Sequence, residues 1–240
     1  VIKRLLAVVD RGYRRLFPIY NGYIVCSPMD YYIYAPWLEP SFQEFLAPIR
    51  GRTVVSDDRC YILHQLVQQC SRVDGDMAEC GCYLGGTAFL IAGTMQRSGA
   101  DNRPLHLFDT FNGMPAGTIT SRDGHSVGEF GDTSFGKVKA YCAEFPNIVF
   151  HQGTMPQTFD AVAAQRFSFV HVDVDTYPST AACCEFFYPR LNPGGALVCD
   201  DYGFYRYRHA AMKAVDEFFA DKPETPLSLR TGQCLVVKLP

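Results

Sequence analysis

The chain has 240 residues, a formal net charge of −3 and ten cysteines, with acidic and basic residues interspersed. That length can bury a sizeable core as one large α/β domain or two small ones. No basic stripe is present to suit nucleic acid, and no apolar run reaches the roughly 18–20 residues of a membrane span. The cysteines do not make a disulfide scaffold: Cys183, Cys184, Cys199 and Cys234 fall in apolar patterns as small hydrophobes, there is no CxxC pair, and Cys80-Gly81-Cys82 is poor zinc spacing. Reduced thiols and a cytoplasmic protein are the expectation.

The first stretch, VIKRLLAVVDRGYRRLFPIY, is too short and too charged to span a membrane and lacks a signal-peptide cleavage pattern. Its periodicity suits an amphipathic helix covering its own core, or one lying on a membrane or another subunit. Residues 1–72 hold seven of the fourteen tyrosines, the single Trp37, and prolines at 18, 28, 36, 40 and 48. That composition suits packed, irregular segments, and the region is assigned to an N-terminal cap or lid. Within it, Ser56-Asp57-Asp58 opens a helix through about Ser71, with a capping side chain and an acidic first turn.

From about Val73 short apolar runs alternate with helix-compatible stretches. The runs are 76–79, 104–109, 147–151, 167–173 and 196–200, and between them lie 86–98, 133–145, 157–165 and 178–191. Buried strands separated by helices predict a doubly wound, mostly parallel α/β sheet over 73–240. PLSLR and CLVVKL flank Thr231-Gly232, which adds an antiparallel hairpin at one edge and makes seven strands. The loop 112–132 is long and glycine-rich, a length usually tied to function.

The first strand runs into AECGCYLGGTA, whose Gly81, Gly85 and Gly86 let the backbone turn tightly and approach a ligand. The spacing is not the G-x-G-x-x-G of dinucleotide enzymes, and Glu79 would repel a pyrophosphate. Asp109, ending the second strand, can accept two hydrogen bonds from a ribose diol. An adenosyl ligand without a pyrophosphate is S-adenosylmethionine. Candidate cofactor contacts are Glu79, Gly81, Tyr83, Gly85, Thr87, Asp109, Thr110 and Gly153. The simpler reading is a glycine-rich helix cap, with Asp109 capping the next turn.

Two later strands end in carboxylates: FVHVDVDTYPST carries Asp173 and Asp175, and ALVCDDYG carries Asp200 and Asp201. Strands that are neighbours in a parallel sheet lie about 4.8 Å apart, so their terminal carboxylates converge. Asp173, Asp200 and Asp201 cannot all stay ionised together without a cation. All-oxygen ligands point to Mg²⁺ or Ca²⁺, with Mn²⁺ as another choice. Separate duties, with Asp175 capping the helix that starts near Pro178 and Asp201 capping a turn, are the alternative. A hydroxyl held on such a cation beside a sulfonium methyl group describes metal-assisted O-methyl transfer, and a vicinal diol is the natural acceptor.

AECGCYLGGTAFLIA, LFDTFNGMP, VDVDTYPST, LNPGGALVCDDYG and KAVDEFFAD, in that order across about 53–238, resemble the macrocin O-methyltransferase family. The resemblance implies a class I, Rossmann-like methyltransferase that uses S-adenosylmethionine and Mg²⁺ on sugar hydroxyls of natural products. By it Asp173, Asp200 and Asp201 match the metal ligands, and Glu79, Gly81 and Asp109 the cofactor loop. A mobile lid and a homo-oligomer are also implied. Catechol O-methyltransferases place a lysine base three residues after the first metal aspartate, where this chain has Thr176. Asp175 is therefore the first candidate base and His125, on the long loop, the second; His171 and His106 fall in buried strand positions and are read as structural. The rival classes are an NAD(P)-dependent oxidoreductase and a catalytically idle binding module on the same fold.

Overall fold

A computed structural model describes residues 34–240, and Trp37–Pro240 form one compact unit. The amphipathic helix expected over 1–20 lies outside the described residues, as does most of the Tyr- and Pro-rich stretch. Five parallel strands come first: β1 Asp76–Cys80, β2 Leu105–Asp109, β3 Ile148–Gln152, β4 Phe167–Val172 and β5 Leu191–Cys199. β6 Leu227–Ser228 and β7 Cys234–Val237 follow, and the seven-stranded order is β3-β2-β1-β4-β5-β7-β6. β7 runs antiparallel to both β5 and β6, as the Thr231-Gly232 turn predicts. The strand order reverses between β1 and β4, and ligands bind at such a reversal in an open α/β sheet.

Strand alternation divides the core into two layers. Met77, Leu105, Leu107, Phe169 and Val198 face one side, under helices α1 Pro40–Ile49, α2 Asp57–Cys70 and α3 Gly86–Arg97. Ala78, Phe108, Val170, Val172 and Leu197 face the other, with α5 Tyr177–Phe187 and α6 Ala211–Phe219; the short α4 is Phe135–Tyr141. Phe42, Leu46 and Ile49 of α1 and Cys60, Leu63 and Val67 of α2 repeat at helical spacing and are all buried in the first layer. This stripe draws residues 40–70, which the composition places in the cap, into the same compact unit as the sheet. Cutting Leu63 or Ile91 back to alanine would cost about 2–5 kcal/mol.

Local differences from the sequence expectation have simple causes. Residues 157–162 form a 3-10 helix rather than an α-helix, directly after Pro156. β5 begins at Leu191, which pairs with Phe167; Asn192-Pro-Gly-Gly then bulges out of register, with Gly194 at φ +82°, before pairing with β4 resumes at Ala196. Ser56 occupies the N-cap position of α2 but makes no side-chain cap; its hydroxyl donates to Asp58 at 2.5 Å, and Asp58 accepts the Arg59 amide at 3.0 Å.

Candidate active site at the carboxyl edge of the sheet

β1 leaves the sheet at Gly81, whose φ of +87° is left-handed. A Cβ there would sit 1.8 Å from the Asp173 carbonyl oxygen, so only glycine lets β1 pass the end of β4. Gly85, at φ +84°, is the N-cap residue of α3. The turn between them is held from β2: one Asp109 oxygen accepts the amides of Cys82 at 2.6 Å and Tyr83 at 3.0 Å, and the other accepts the Phe111 amide at 2.7 Å. Asp109 thus braces the loop while lining the cavity beside it. Thr110 turns its hydroxyl back to the Gly113 carbonyl at 2.7 Å, and Gly153 donates to the Asp109 carbonyl at 2.9 Å.

A cavity of about 300 Å³ opens above this loop. Gly81, Tyr83, Thr87, Asp109 and Thr110 line one part of it, and Asp173, Asp175 and Asp201 another. Glu79, Gly85, Gly153, Asp200 and His125 are not among the residues that line it. Glu79 is fully buried, with Oε1 2.9 Å from His171 Nδ1 and Oε2 without a hydrogen-bond partner.

β4 and β5 are neighbours, as the carboxylate argument requires. Asp173, Asp200 and Asp201 each offer an oxygen within 4.8 Å of the others. Burial pushes the Asp173 and Asp201 carboxyls well up, reinforced by the charges of their acidic neighbours. Burial acts on Asp200 in the same sense, but His171, Arg59 and Gln233 outweigh it and hold that carboxyl below its ordinary value. The Asp200 contacts are specific: Gln233 Nε2 donates to Oδ1 at 2.8 Å, Arg59 Nη1 pairs with Oδ2, and His171 Nε2 lies 3.5 Å from Oδ1. Buried carboxylates crowded this closely, with oxygen as the only donor type, fit a hard divalent cation.

Past β4 the chain turns sharply: Asp175 adopts φ +58°, and its amide donates to Asp201 Oδ2 at 3.2 Å. This left-handed residue turns the chain out of the line of β4 after Asp173. The long loop meets it there. Asp123 accepts the Tyr177 amide at 2.7 Å, at the start of α5. His125 places Nε2 3.4 Å from Asp175 Oδ1 and 3.2 Å from the Tyr207 hydroxyl, and Nδ1 3.0 Å from Glu129 Oε2. The Tyr207 ring stacks on His125 at 5.4 Å and 7°. Burial lowers the His125 pKa, but Asp175 and Glu129 outweigh it and raise it above the ordinary value. The two candidate bases are therefore one contact.

Sequence reasoning passed over Arg59, Gln233, Glu129 and Tyr207, and read His171 as merely structural. His171 faces Glu79 across the β1–β4 pairing, a register that no spacing within the chain shows. Arg59 is equally hidden, since it reaches Asp200 from 141 residues away in sequence.

Residues 43–228 match the family described as Macrocin-O-methyltransferase (TylF). The mycinamicin III 3''-O-methyltransferase of Micromonospora griseorubida is 27% identical over 185 residues, 70% of this chain and 72% of that one. The 8-demethyl-8-(2,3-dimethoxy-alpha-L-rhamnosyl)-tetracenomycin-C 4'-O-methyltransferase of Streptomyces olivaceus is 27% identical over 151 residues, 58% of this chain and 57% of that one. Among solved structures, the O-methyltransferase NovP superposes with a TM-score of 0.68 at 21% identity, covering 79% of this chain and 83% of that one, which shows the shared fold. The oxidoreductase and idle-module alternatives give way to these matches: the chain belongs to the macrocin O-methyltransferase family and is an S-adenosylmethionine-dependent O-methyltransferase.

Proposed function

We propose that this enzyme methylates a hydroxyl of a vicinal diol on a glycosylated natural product, with Asp173, Asp200 and Asp201 holding Mg²⁺ or a similar oxygen-preferring cation. The observation that carries the reading is one cavity bounded by both the braced glycine loop and the carboxylate cluster. One relative is named as the 4'-O-methyltransferase of a rhamnosyl-bearing tetracenomycin, and the other as the 3''-O-methyltransferase of mycinamicin III. When bound, S-adenosylmethionine supplies an electrophilic methyl group, and the cation makes an acceptor hydroxyl more acidic.

The protein's own groups do the rest. Gly81, Tyr83, Thr87, Asp109 and Thr110 bind the cofactor, with Glu79, Gly85 and Gly153 shaping the loop from behind. Asp109 already accepts three amides, so a ribose diol draws on what remains of its acceptor capacity. Asp175 takes the acceptor proton, and His125, held between Asp175 and Glu129, orients that carboxylate. Val54 and Val55 in the 53–55 stretch and Phe130, Phe204 and Tyr207 wall the cavity and exclude water. An N-terminal cap or lid ahead of the compact unit, assembly as a homo-oligomer and a cytoplasmic setting belong to the same reading. The nine free, buried cysteines among the described residues support that setting, and no helix among those residues is long and apolar enough to cross a membrane.

Calorimetry tests the two halves separately. S-adenosylhomocysteine is expected to bind and NAD not to. Mg²⁺ is expected to bind the parent chain, and Asp200→Asn to weaken it by about tenfold or more. Unchanged Mg²⁺ affinity in Asp200→Asn would remove this cluster as the metal site. A panel of glycosides with free vicinal diols then identifies the acceptor; transfer to catechols alone would refute the sugar reading.

A further inference from the structure

Arg59 lies in the first turn of α2, yet its guanidinium pairs with Asp200 at the end of β5. Its remaining donors are held close to home: Nη2 donates to the Val54 carbonyl at 3.1 Å and Nε to the Ser56 hydroxyl at 3.0 Å. The Phe204 ring lies 5.1 Å from the guanidinium carbon. Asp200 therefore has both oxygens engaged, Oδ2 by Arg59 and Oδ1 by Gln233 and His171.

A divalent ion shared by Asp173, Asp200 and Asp201 meets that guanidinium as a like charge on a common carboxylate, in surroundings that screen it poorly. Burial decides which donor yields. His171 and Gln233 are fully enclosed, whereas the Arg59 side chain keeps 12% exposure and lines the cavity. Of these three donors only Arg59 has an open path away from Asp200.

We infer that Arg59 is a built-in counter-cation of Asp200, competing with the divalent ion and moving off that carboxylate when the ion binds. The inference rests on the metal reading of the cluster. Arg59 is a positioning residue that acts through Asp200. Its ties to Val54 and Ser56 couple the exchange to the 53–59 stretch, whose Thr53, Val54 and Val55 line the cavity. Cation binding thus resets one wall of the space that receives the substrates.

The test is Mn²⁺ binding to the full chain, followed by electron paramagnetic resonance without cofactor or acceptor, for the parent, Arg59→Met and Arg59→Lys. Arg59→Met is expected to bind Mn²⁺ about tenfold more tightly, while Arg59→Lys, which keeps a cation, stays within about threefold of the parent. Amide hydrogen exchange of residues 53–59 is expected to quicken on Mn²⁺ addition in the parent and to be unresponsive in Arg59→Met. Equal or weaker Mn²⁺ binding by a folded Arg59→Met overturns the inference. So does unchanged exchange in the Mn²⁺-saturated parent, a measurement that needs no variant. If neither parent nor variants take up Mn²⁺ while S-adenosylhomocysteine still binds the parent, the metal reading itself fails and this inference falls with it.

Discussion

His171 and His125 are each held between two carboxylates, one inside the sheet and the other on the long loop. Glu79 and Asp200, the partners of His171, are fully buried. Asp175 and Glu129, the partners of His125, keep 13% and 34% exposure. Burial opposes protonation of both rings, and in both the paired acids prevail. What differs is whether the acids reach solvent. Glu79 and Asp200 do not, so the His171 imidazolium is a buried counterion between them, shared on Asp200 with Arg59, and ties β1, β4 and β5 together at the edge of the site. Asp175 faces the cavity, where the proposed base has to stand. Similar pairs at different depth thus enclose one imidazole in the sheet and set the other beside the substrate space.

Removing His171 should produce the larger effect. His171→Leu leaves two buried carboxylates without their imidazolium, a change of the kind that costs about 3–5 kcal/mol. Urea denaturation should show that loss, and Glu79→Leu added to His171→Leu should recover part of it. The pH dependence follows from the direction of the shift. The His171 pKa is raised to about 10, above the ordinary 6.5, so its stabilisation is complete below about 6.5 and is lost as pH rises through about 10. The gap between parent and His171→Leu should narrow across that window. A gap that is small at pH 7 would mean that the sheet triad is not a counterion system.

The loop pair is read out in rate rather than stability. Asp175→Asn should lower methyl transfer by about 10²–10⁴-fold, the usual contribution of a general base, while leaving Mn²⁺ and S-adenosylhomocysteine affinities nearly unchanged. His125→Gln should cost less, about tenfold, because the carboxylate remains and only its orientation suffers. Full turnover by Asp175→Asn would end its assignment as the base. Equal losses from the two variants would show that they act as one unit.

Much of this arrangement was legible because it obeys local rules. Strand runs ending in Asp109, Asp173 and Asp200 gave the parallel sheet, and the doubled carboxylates gave the cluster, since neighbouring strands must end together. Gly81 was legible as a tight turn, though the Asp173 carbonyl that requires it was not. The arginine on Asp200 and the imidazole between Glu79 and Asp200 were hidden for a common reason. Each joins groups on separate elements, and pairings across such distances leave no spacing in the chain. The His125–Asp175 contact was hidden differently: it depends on the left-handed turn at Asp175, a conformation that aspartate adopts far less often than glycine.

The smallest effect comes from a third histidine, which extends the comparison to a ring without an acid of its own. His151 on β3 has Nε2 2.9 Å from His106 Nδ1, and only His106 reaches a carboxylate, Asp76 at 3.1 Å. With no acid in contact, burial wins, helped by the charge of His106, and the His151 pKa is lowered to about 4. Here the sign reverses. The unfolded chain takes up the proton first, so the fold loses stability as pH falls from about 6.5 toward 4. His151→Phe keeps a ring to stack on Phe108, whose centroid lies 4.5 Å away at 12°, and removes the titration. Between pH 7 and pH 5 the parent should lose about 1 kcal/mol more than His151→Phe, a figure reduced for the solvent screening of a half-buried ring. Urea midpoints at the two pH values decide it. If both chains lose the same stability, the His151 ring takes up its proton as readily in the fold as in the unfolded chain, and the acid partner is not what separates it from His171 and His125.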